Sequence, residues 1–383
     1  MDTIYLDHAA TTPLRPEALE AMLPLLGERF GNPSSVHAWG RKASVALEEA
    51  RERLAATIGA EPGEVIFTRG GTEADNLALL GRARAQPEGA VVCSATEHSA
   101  VLETVRALGG AGRRTIILPV DRDGLVELGS LHGVLTEHPA VVSVMWVNNE
   151  VGTVQPVPEL AAGCREAGVV FHSDAIQALG KVELDARGSG ADLLSFSAHK
   201  VGGPKGTGAL FVRRGTALDP ILRGGAQERG LRAGTQDVAG AVGFSLAAEL
   251  AERGREREAT RLGRLRDRLE SGLRESVSEL VVNGAGARRS PAILNVSIPG
   301  ADGEGLVLAL DLEGVAVSSG SACSSGTVEP SRVLTAMGLA RAAAVSPVRF
   351  SLGPESNGEE IDRVLEILPR VIQRAKALAV IHA

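Results

Sequence analysis

Short apolar runs alternate with helix-like segments along residues 60–215, which is the clearest pattern in the chain. The runs are rich in Val, Ile, Leu and Phe and lie at Val65–Thr68, Val91–Ser94, Thr115–Leu118, 141–147, 169–172, 193–196 and 209–212. Continuous apolar strands joined by helices are typical of a parallel sheet that is covered on both faces. The pattern therefore predicts an α/β fold with a mostly parallel central sheet.

A different pattern begins near residue 252, where charged residues surround a single apolar stripe. The stripe recurs at three- and four-residue spacing, at Leu262, Leu265, Leu269, Leu273, Val277 and Leu280. This spacing predicts one long helix over 252–280 with a solvated Arg/Glu face. Because 383 residues exceed a usual single core, we predict a large domain at 15–255. A smaller α/β domain is predicted to comprise 1–14 and 256–383.

Composition and charge narrow the class of protein. Hydrophobic residues make up 44% and charged residues 23%, as in soluble globular enzymes. The formal net charge of −7 gives no general attraction to nucleic acid or to anionic lipid, so neither is predicted as a partner. The first residues do not resemble a secretory signal, and no apolar run reaches the roughly twenty residues that cross a bilayer. A cytoplasmic location is predicted.

The three cysteines are far apart and form no Cys-x-x-Cys pair, so neither a disulfide framework nor a metal site is predicted. Cys93 and Cys164 lie in apolar patterns and are predicted to be core residues. Cys323 differs, because its neighbours at 318–326 are mainly Ser and Gly, which predicts a mobile exposed loop (about 318–330). Its thiolate would be a nucleophile; the alternative is an inert surface thiol.

Polar clusters follow five of the predicted strands. They lie at 69–76, 96–98, 148–152, 173–177 and 197–200. Ligands of open α/β sheets bind beyond the carboxyl ends of the strands, so these clusters are expected to gather at one site. Gly71 and Thr72 would open a helix whose amides suit a phosphate, although Thr72 could equally be an ordinary N-cap. The glycine-rich segment 202–208 lacks the order of a nucleotide-binding loop and is predicted to be a turn.

Two of these clusters suit pyridoxal 5′-phosphate (PLP). Lys200 follows a strand and has the Ser197 hydroxyl three residues before it, which suits a Schiff base beside a phosphate. PLP also needs a carboxylate at its pyridine nitrogen, and Asp174 at the end of the preceding strand is the candidate. The alternatives are a surface lysine and a turn aspartate.

A series of motifs carries a resemblance to a known family. They are LDHAATTP at 6–13, NPSS at 32–35, GTEADN at 71–76, TEH at 96–98, NNEVG at 148–152, DAIQ at 174–177, SAHK at 197–200, QERG at 227–230 and RFSLG at 349–353. Over essentially its whole length the chain resembles the cysteine desulfurases, class V aminotransferases among the fold-type I PLP-dependent transferases. The segment SSGSACSS at 318–325 is similar to the branch that serves general iron–sulfur assembly.

The resemblance implies cofactor-binding and catalytic roles. Lys200 would bind the cofactor covalently, His98 would stack on its ring and move a proton, Asp174 would pair with the ring nitrogen, and Gln177 would contact the ring oxygen. The other implied cofactor ligands surround the phosphate or lie near the ring: Gly71, Thr72, Asn149, Ser197, Ala198, His199 and Thr235. Of these, Thr235 would come from the second subunit of a homodimer.

The resemblance also implies how substrate is bound. Arg349 would bind the substrate carboxylate, which matches a guanidinium fork, with help from Asn149 and Asn32. The implied reaction takes sulfur from L-cysteine, releases L-alanine and leaves a persulfide on Cys323. A sulfur-acceptor protein would then take it, either an iron–sulfur scaffold or a tRNA-thiolation protein.

Two kinds of alternative remain from the sequence. One is another enzyme of the same fold, an aminotransferase or a selenocysteine lyase. The other is a non-catalytic sulfur-relay or scaffold protein, against which the joint presence of Lys200, Asp174 and His98 argues.

Overall fold

The computed structural model describes residues 3–320 and 329–381, so Cys323 lies outside the described residues. The helices α1 to α11 are Pro16–Leu26, Ala38–Ile58, Gly71–Ala85, Ser99–Gly110, Leu128–Leu135, Val157–Glu166, Val238–Ser276, Gly303–Leu312, Arg332–Ala336, Arg341–Ala344 and Gly358–Ile381. The strands β1 to β12 are Ile4–Tyr5, Val65–Thr68, Val91–Ser94, Thr115–Leu118, Val141–Ser143, Val170–Asp174, Leu193–Ser197, Gly208–Val212, Val281–Val282, Ile293–Ser297, Val315–Ala316 and Pro347–Ser351.

The central sheet has the strand order β2-β8-β7-β6-β5-β3-β4. β8 pairs antiparallel with both of its neighbours, and the other pairs are parallel. Strands such as β3 and β7 are buried along their whole length, as expected when helices cover both faces. The predicted mostly parallel sheet is confirmed. β6 and β7 are parallel neighbours, so Asp174 and Ser197 at their ends meet at one edge of the sheet.

Some predicted element bounds were wrong. The predicted strand at 141–147 ends at Ser143, although Val144 and Trp146 still donate backbone hydrogen bonds to carbonyls of β6. The helix predicted over 252–280 is α7, which begins already at Val238 and ends at Ser276. Its first part is rich in small apolar residues that are buried, so it carries no separate polar face to mark a helix. The predicted turn at 202–208 is borne out up to Thr207, where β8 follows.

A second apolar cluster lies apart from the cluster around the central sheet. It joins the leucine stripe of α7 to α8, α11 and the antiparallel sheet β12-β10-β9. The N-terminal strand β1 pairs with β11 and contributes Ile4 to this cluster. The short helices α9 and α10 instead pack with the first cluster, through Val333 and Ala344 among others. The domain boundaries at residues 14/15 and 255/256 stay a prediction.

Cys93 and Cys164 are both fully buried, in β3 and α6. Burial raises the pKa of the Cys164 thiol to about 12 and also raises the pKa of Cys93. Both are therefore core residues, as predicted. None of the helices in the described ranges has the length and apolar content that a bilayer crossing requires.

Candidate cofactor and active site

A cavity of about 860 Å³ opens where the central strands end. Its wall contains most of the predicted site residues: Gly71, Thr72, His98, Asn149, Asp174, Gln177, Ser197, His199, Lys200 and Arg349. Residues that are distant in sequence thus share one cavity because parallel neighbouring strands end at the same edge of the sheet.

Lys200 ends a short 3₁₀ turn that follows β7 directly. Its Nζ donates hydrogen bonds to the carbonyls of Ala9 and Ala10, at 2.7 and 2.6 Å. Burial, with the positive charge of Arg349, lowers the pKa of Lys200 to about 8. A larger share of this amine is therefore neutral near neutral pH than for an exposed lysine, as attack on an aldehyde requires.

Asp174 is the last residue of β6 and its side chain is buried. Its Oδ1 accepts a hydrogen bond of 2.9 Å from the backbone N–H of Ile176. Burial raises the pKa of this carboxyl, while the neighbouring His98, the Ile176 hydrogen bond and Lys200 act in the opposite direction. A cationic ring nitrogen beside Asp174 would add a further charge that favours the carboxylate.

His98 is the N-cap of α4. Its Nδ1 accepts a hydrogen bond of 3.1 Å from the N–H of Ala100. A neutral imidazole that accepts at Nδ1 carries its proton at Nε2. The ring lines the cavity, so Nε2 is the nitrogen available for proton transfer.

The start of α3 forms the part of the wall that suits a phosphate. The cap position belongs to Gly70, so Thr72 is not the N-cap, and its exposed hydroxyl lines the cavity. A Cβ on Gly71 would clash with Ile176 Cδ1, so a larger residue here would force that side chain to move. The free amides of a first helical turn are a common phosphate site.

His199 lines the same cavity. Its Nδ1 is 3.1 Å from the Thr11 hydroxyl. Burial and the nearby Lys200, Lys205 and Lys181 lower the pKa of His199 to about 4. His199 therefore has hydrogen-bonding capacity without a charge of its own.

Arg349 enters the same cavity from β12, which belongs to the smaller sheet. Its Nη2 is 2.7 Å from Asp7 Oδ1, and its Nη1 donates to the Asn149 carbonyl at 2.9 Å. Its buried Nε has no hydrogen-bond partner among the described residues. A guanidinium held this way keeps a fixed plane and still has N–H groups for a carboxylate.

The sequence did not assign roles to some residues that line or support the cavity. Asp7 fixes Arg349, and the carbonyl of Ala9 accepts hydrogen bonds from both Gln177 and Lys200. Asp7 and Ala9 lie in the 6–13 motif that carried the resemblance. The sequence therefore indicated this segment but did not predict which residues it would contact. Glu97 lies in the same wall, and burial raises its pKa to about 8.

Three predicted site residues do not line the cavity of this chain. Asn32 lies in the loop between α1 and α2, Ala198 is buried in the turn before Lys200, and Thr235 is exposed. Seven residues before Thr235, the buried Glu228 anchors the chain. Its carboxylate accepts two hydrogen bonds from the buried Arg51, at 2.7 and 2.8 Å. The roles of these three residues stay predictions, as does that of Cys323.

The chain is similar to known proteins in both sequence and structure. Residues 4–364 match the family model Aminotransferase class-V. The chain is 44% identical over 378 residues to the cysteine desulfurase IscS of Dictyoglomus turgidum, covering 98% of this chain and 96% of that protein. It is also 44% identical over 378 residues to the cysteine desulfurase NifS of Azotobacter vinelandii, covering 98% and 94%.

Solved structures give the same result. A NifS-like protein superposes with a TM-score of 0.91 at 35% identity, covering 97% of this chain and all of that chain (100%). A second structure, SspA in complex with cysteine, has a TM-score of 0.81 at 33% identity, covering 93% and 100%. The predicted fold class, an α/β fold of the fold-type I kind, is confirmed.

Proposed function

The chain belongs to the class-V aminotransferase family and, within it, to the cysteine desulfurases, and we propose that it uses PLP to move sulfur from L-cysteine to Cys323. The observation that carries this proposal is the single cavity shared by Lys200, Asp174, His98 and Arg349. In that order, these residues supply an amine that can react with an aldehyde, a carboxylate that can pair with a pyridine nitrogen, a group that can carry a proton, and a cation that can bind a carboxylate.

The cavity fits PLP on several counts. Lys200 has the lowered pKa that aldehyde capture favours, and Asp174 is buried where a cationic ring nitrogen would offset its charge. Gly71, Thr72, Ser197 and His199 would hold the phosphate, and Gln177 would contact the ring oxygen. When bound, PLP supplies an electron sink that stabilises negative charge on the substrate carbon next to the amine.

The chain's own groups then bind and orient the substrate. Arg349 binds the L-cysteine carboxylate through N–H groups that Asp7 and Asn149 leave free, and Asn149 lies beside it. Asn32 is proposed to assist. His98 Nε2 and the Lys200 amine hold and move the protons that the substrate carbons lose and gain.

Sulfur transfer itself is assigned to Cys323. Its thiolate attacks the substrate sulfur, so that the carbon–sulfur bond of the substrate breaks and a sulfur–sulfur bond forms. The electron pair of the broken bond stays with the carbon skeleton, which takes up a proton and leaves as L-alanine. The overall exchange is balanced without an added oxidant or reductant, because one thiol becomes a persulfide while cysteine becomes alanine.

We propose further that the persulfide passes to an acceptor protein, such as an iron–sulfur scaffold or a tRNA-thiolation protein. A cytoplasmic location suits this chemistry, because a reducing compartment keeps thiols free; Cys93 and Cys164 are free thiols. The acceptor test is transfer of labelled sulfur from the loaded protein to a purified scaffold, with Cys323→Ala as the control.

A homodimer completes the proposal, with Thr235 of each chain reaching the cofactor phosphate of the other. Thr235 is exposed and does not line the cavity of its own chain. An exposed apolar face near α1 offers a surface for the second copy: Leu19, Leu23, Leu26, Phe30 and Trp39. The rings of Phe30 and Trp39 stack on each other, with their centroids 5.4 Å apart.

The activity test is incubation of the PLP-loaded protein with L-cysteine and a reductant, with alanine and sulfide measured together. Equal amounts of both products are expected from the wild type. Cys323→Ala and Lys200→Ala should each lose most of both, whereas Ser324→Ala, the matched control beside the thiol, should keep them.

The result would go against the proposal if Cys323→Ala still formed alanine at the full rate. An aminotransferase would instead convert cysteine to a keto acid without needing Cys323. A selenocysteine lyase would show a far higher kcat/KM for selenocysteine than for cysteine. Purified protein that neither gains a visible absorption band with PLP nor loses it in Lys200→Ala would favour a non-catalytic scaffold.

A further inference from the structure

Lys181 lies behind Gln177, in the turns that follow β6. Its Nζ donates a hydrogen bond of 2.6 Å to Gln177 Oε1. Gln177 Nε2 donates in turn to the carbonyl of Ala9 at 2.9 Å, and the same carbonyl accepts from Lys200 Nζ at 2.7 Å. Gln177 lines the cavity, so Lys181 reaches the site through this one side chain.

The partners of Gln177 determine which way its amide group is turned. The ammonium of Lys181 has only donors, and the carbonyl of Ala9 has only acceptor sites. The amide oxygen must therefore face Lys181 and the amide NH₂ must face Ala9. An NH₂ group has two hydrogens, so one N–H is left to donate to an acceptor in the cavity.

We propose that Lys181 is a positioning residue, which holds Gln177 as a hydrogen-bond donor to an oxygen of the bound cofactor. The inference rests on the proposed function, because it presumes that PLP occupies the cavity. Without Lys181 the amide oxygen of Gln177 would lose its partner, and the group could turn its oxygen toward the cofactor. Two oxygens would then face each other without a proton between them.

The surroundings of Lys181 are unfavourable for a charged side chain, so packing alone does not explain a lysine at this position. Burial and the charges of Lys200 and Arg349 lower the pKa of Lys181 to about 7, and Lys181 itself lowers the pKa of His8. A half-buried cation near other cations is unfavourable. The Gln177 contact is a hydrogen bond that a neutral apolar side chain of the same length could not make.

The test is the dissociation constant of PLP, titrated into the apo protein at a pH below 7 and followed by quenching of protein fluorescence. Lys181→Met should raise this constant about fivefold, the effect of one hydrogen bond. Lys181→Arg, which restores a donor, should recover most of the affinity. Lys376→Met, in α11 and outside the cavity wall, is the matched control and should change nothing.

A double substitution shows whether Lys181 acts through Gln177. Gln177→Leu alone should weaken PLP binding, and adding Lys181→Met should change it by less than about twofold. An equal loss in both backgrounds would overturn the inference, as would a Lys181→Met protein with unchanged affinity. Should Lys181→Met fail to fold, Lys181→Gln is the substitute, because its side chain is one bond shorter and misses Gln177.

The wild-type titration separates the two proposals. No PLP binding by the wild type would contradict the proposed function. Normal wild-type binding that is insensitive to Lys181 would contradict only the role of Lys181. The thermal unfolding of each apo variant, expected to stay close to that of the wild type, checks that the change lies in cofactor binding.

Discussion

Lys200 and Arg349 are two cations in one cavity wall, and their repulsion adds to the effect of burial on the pKa of the lysine. Burial is the larger cause of the lowered pKa of Lys200, and Arg349 is the next. The charges of Asp174 and Asp7 raise the pKa of Lys200, so part of the lysine stays protonated. A residue that would bind substrate therefore also tunes the amine that would hold the cofactor.

This coupling predicts a pH effect on cofactor capture. The neutral amine attacks the aldehyde, so PLP uptake by the apo protein should accelerate as pH rises through about 8, the lowered pKa of Lys200. Removal of the Arg349 charge raises that pKa, so Arg349→Leu should move the midpoint to higher pH. Stopped-flow absorbance across a pH series measures it.

The matched control is Arg370→Leu, at an exposed arginine of α11 whose partner is Glu313. Its midpoint should stay at the wild-type value. If the pH midpoint of PLP uptake in Arg349→Leu were unchanged or lower, the two cations would not interact in the proposed way.

At the scale of elements, the site depends on how closely the start of α3 approaches the end of β6. The added Cβ of Gly71→Ala would clash with Ile176 Cδ1, so this side chain of the cavity wall would have to move. We expect weaker PLP binding, because the displaced Ile176 side chain lines the cavity. Adding Ile176→Val, which lacks that Cδ1 atom, should restore most of the affinity in the same titration.

Gly133→Ala in α5 is the control, since an added Cβ there meets no described atom within 4 Å. It should leave PLP affinity unchanged. Equal losses in Gly71→Ala with and without Ile176→Val would show that the contact with Ile176 is not the cause.

The sequence predicted the elements that carry strong periodicity and missed those that do not. The buried strands and the leucine stripe of α7 follow from local pattern, and so did the polar clusters after the strands. The first half of α7 was missed because small residues packed on most sides leave no polar face. The partners of Arg349 could not be predicted, because Asp7 is distant in sequence and meets it only through tertiary pairing.

The side-chain contacts behind the cavity wall could not be predicted from the sequence either. Lys181 is four residues after Gln177, which is an ordinary spacing in a polar turn. The distance of 2.6 Å between Nζ and Oε1, together with its burial, distinguishes it from a solvated lysine. Side-chain contacts of this kind depend on where the chain has already folded.

For the whole molecule, the proposed second copy should complete the cofactor site. The double variant Leu23→Glu/Phe30→Glu would bury two carboxylates in the apolar face, so it should be a monomer in analytical ultracentrifugation. It should also bind PLP more weakly, because the partner's Thr235 is lost. Leu312→Glu, at an exposed leucine of α8, should stay a dimer. A wild-type monomer with full PLP affinity would contradict this arrangement.

The most direct measurement of the account is the mass of the intact PLP-loaded protein after incubation with L-cysteine in the absence of reductant. A gain of one sulfur atom is predicted, reversed by a thiol reductant and mapped by digestion to Cys323, with one alanine released for each sulfur bound. Alanine release without sulfur on Cys323, or sulfur carried by another residue, would contradict it.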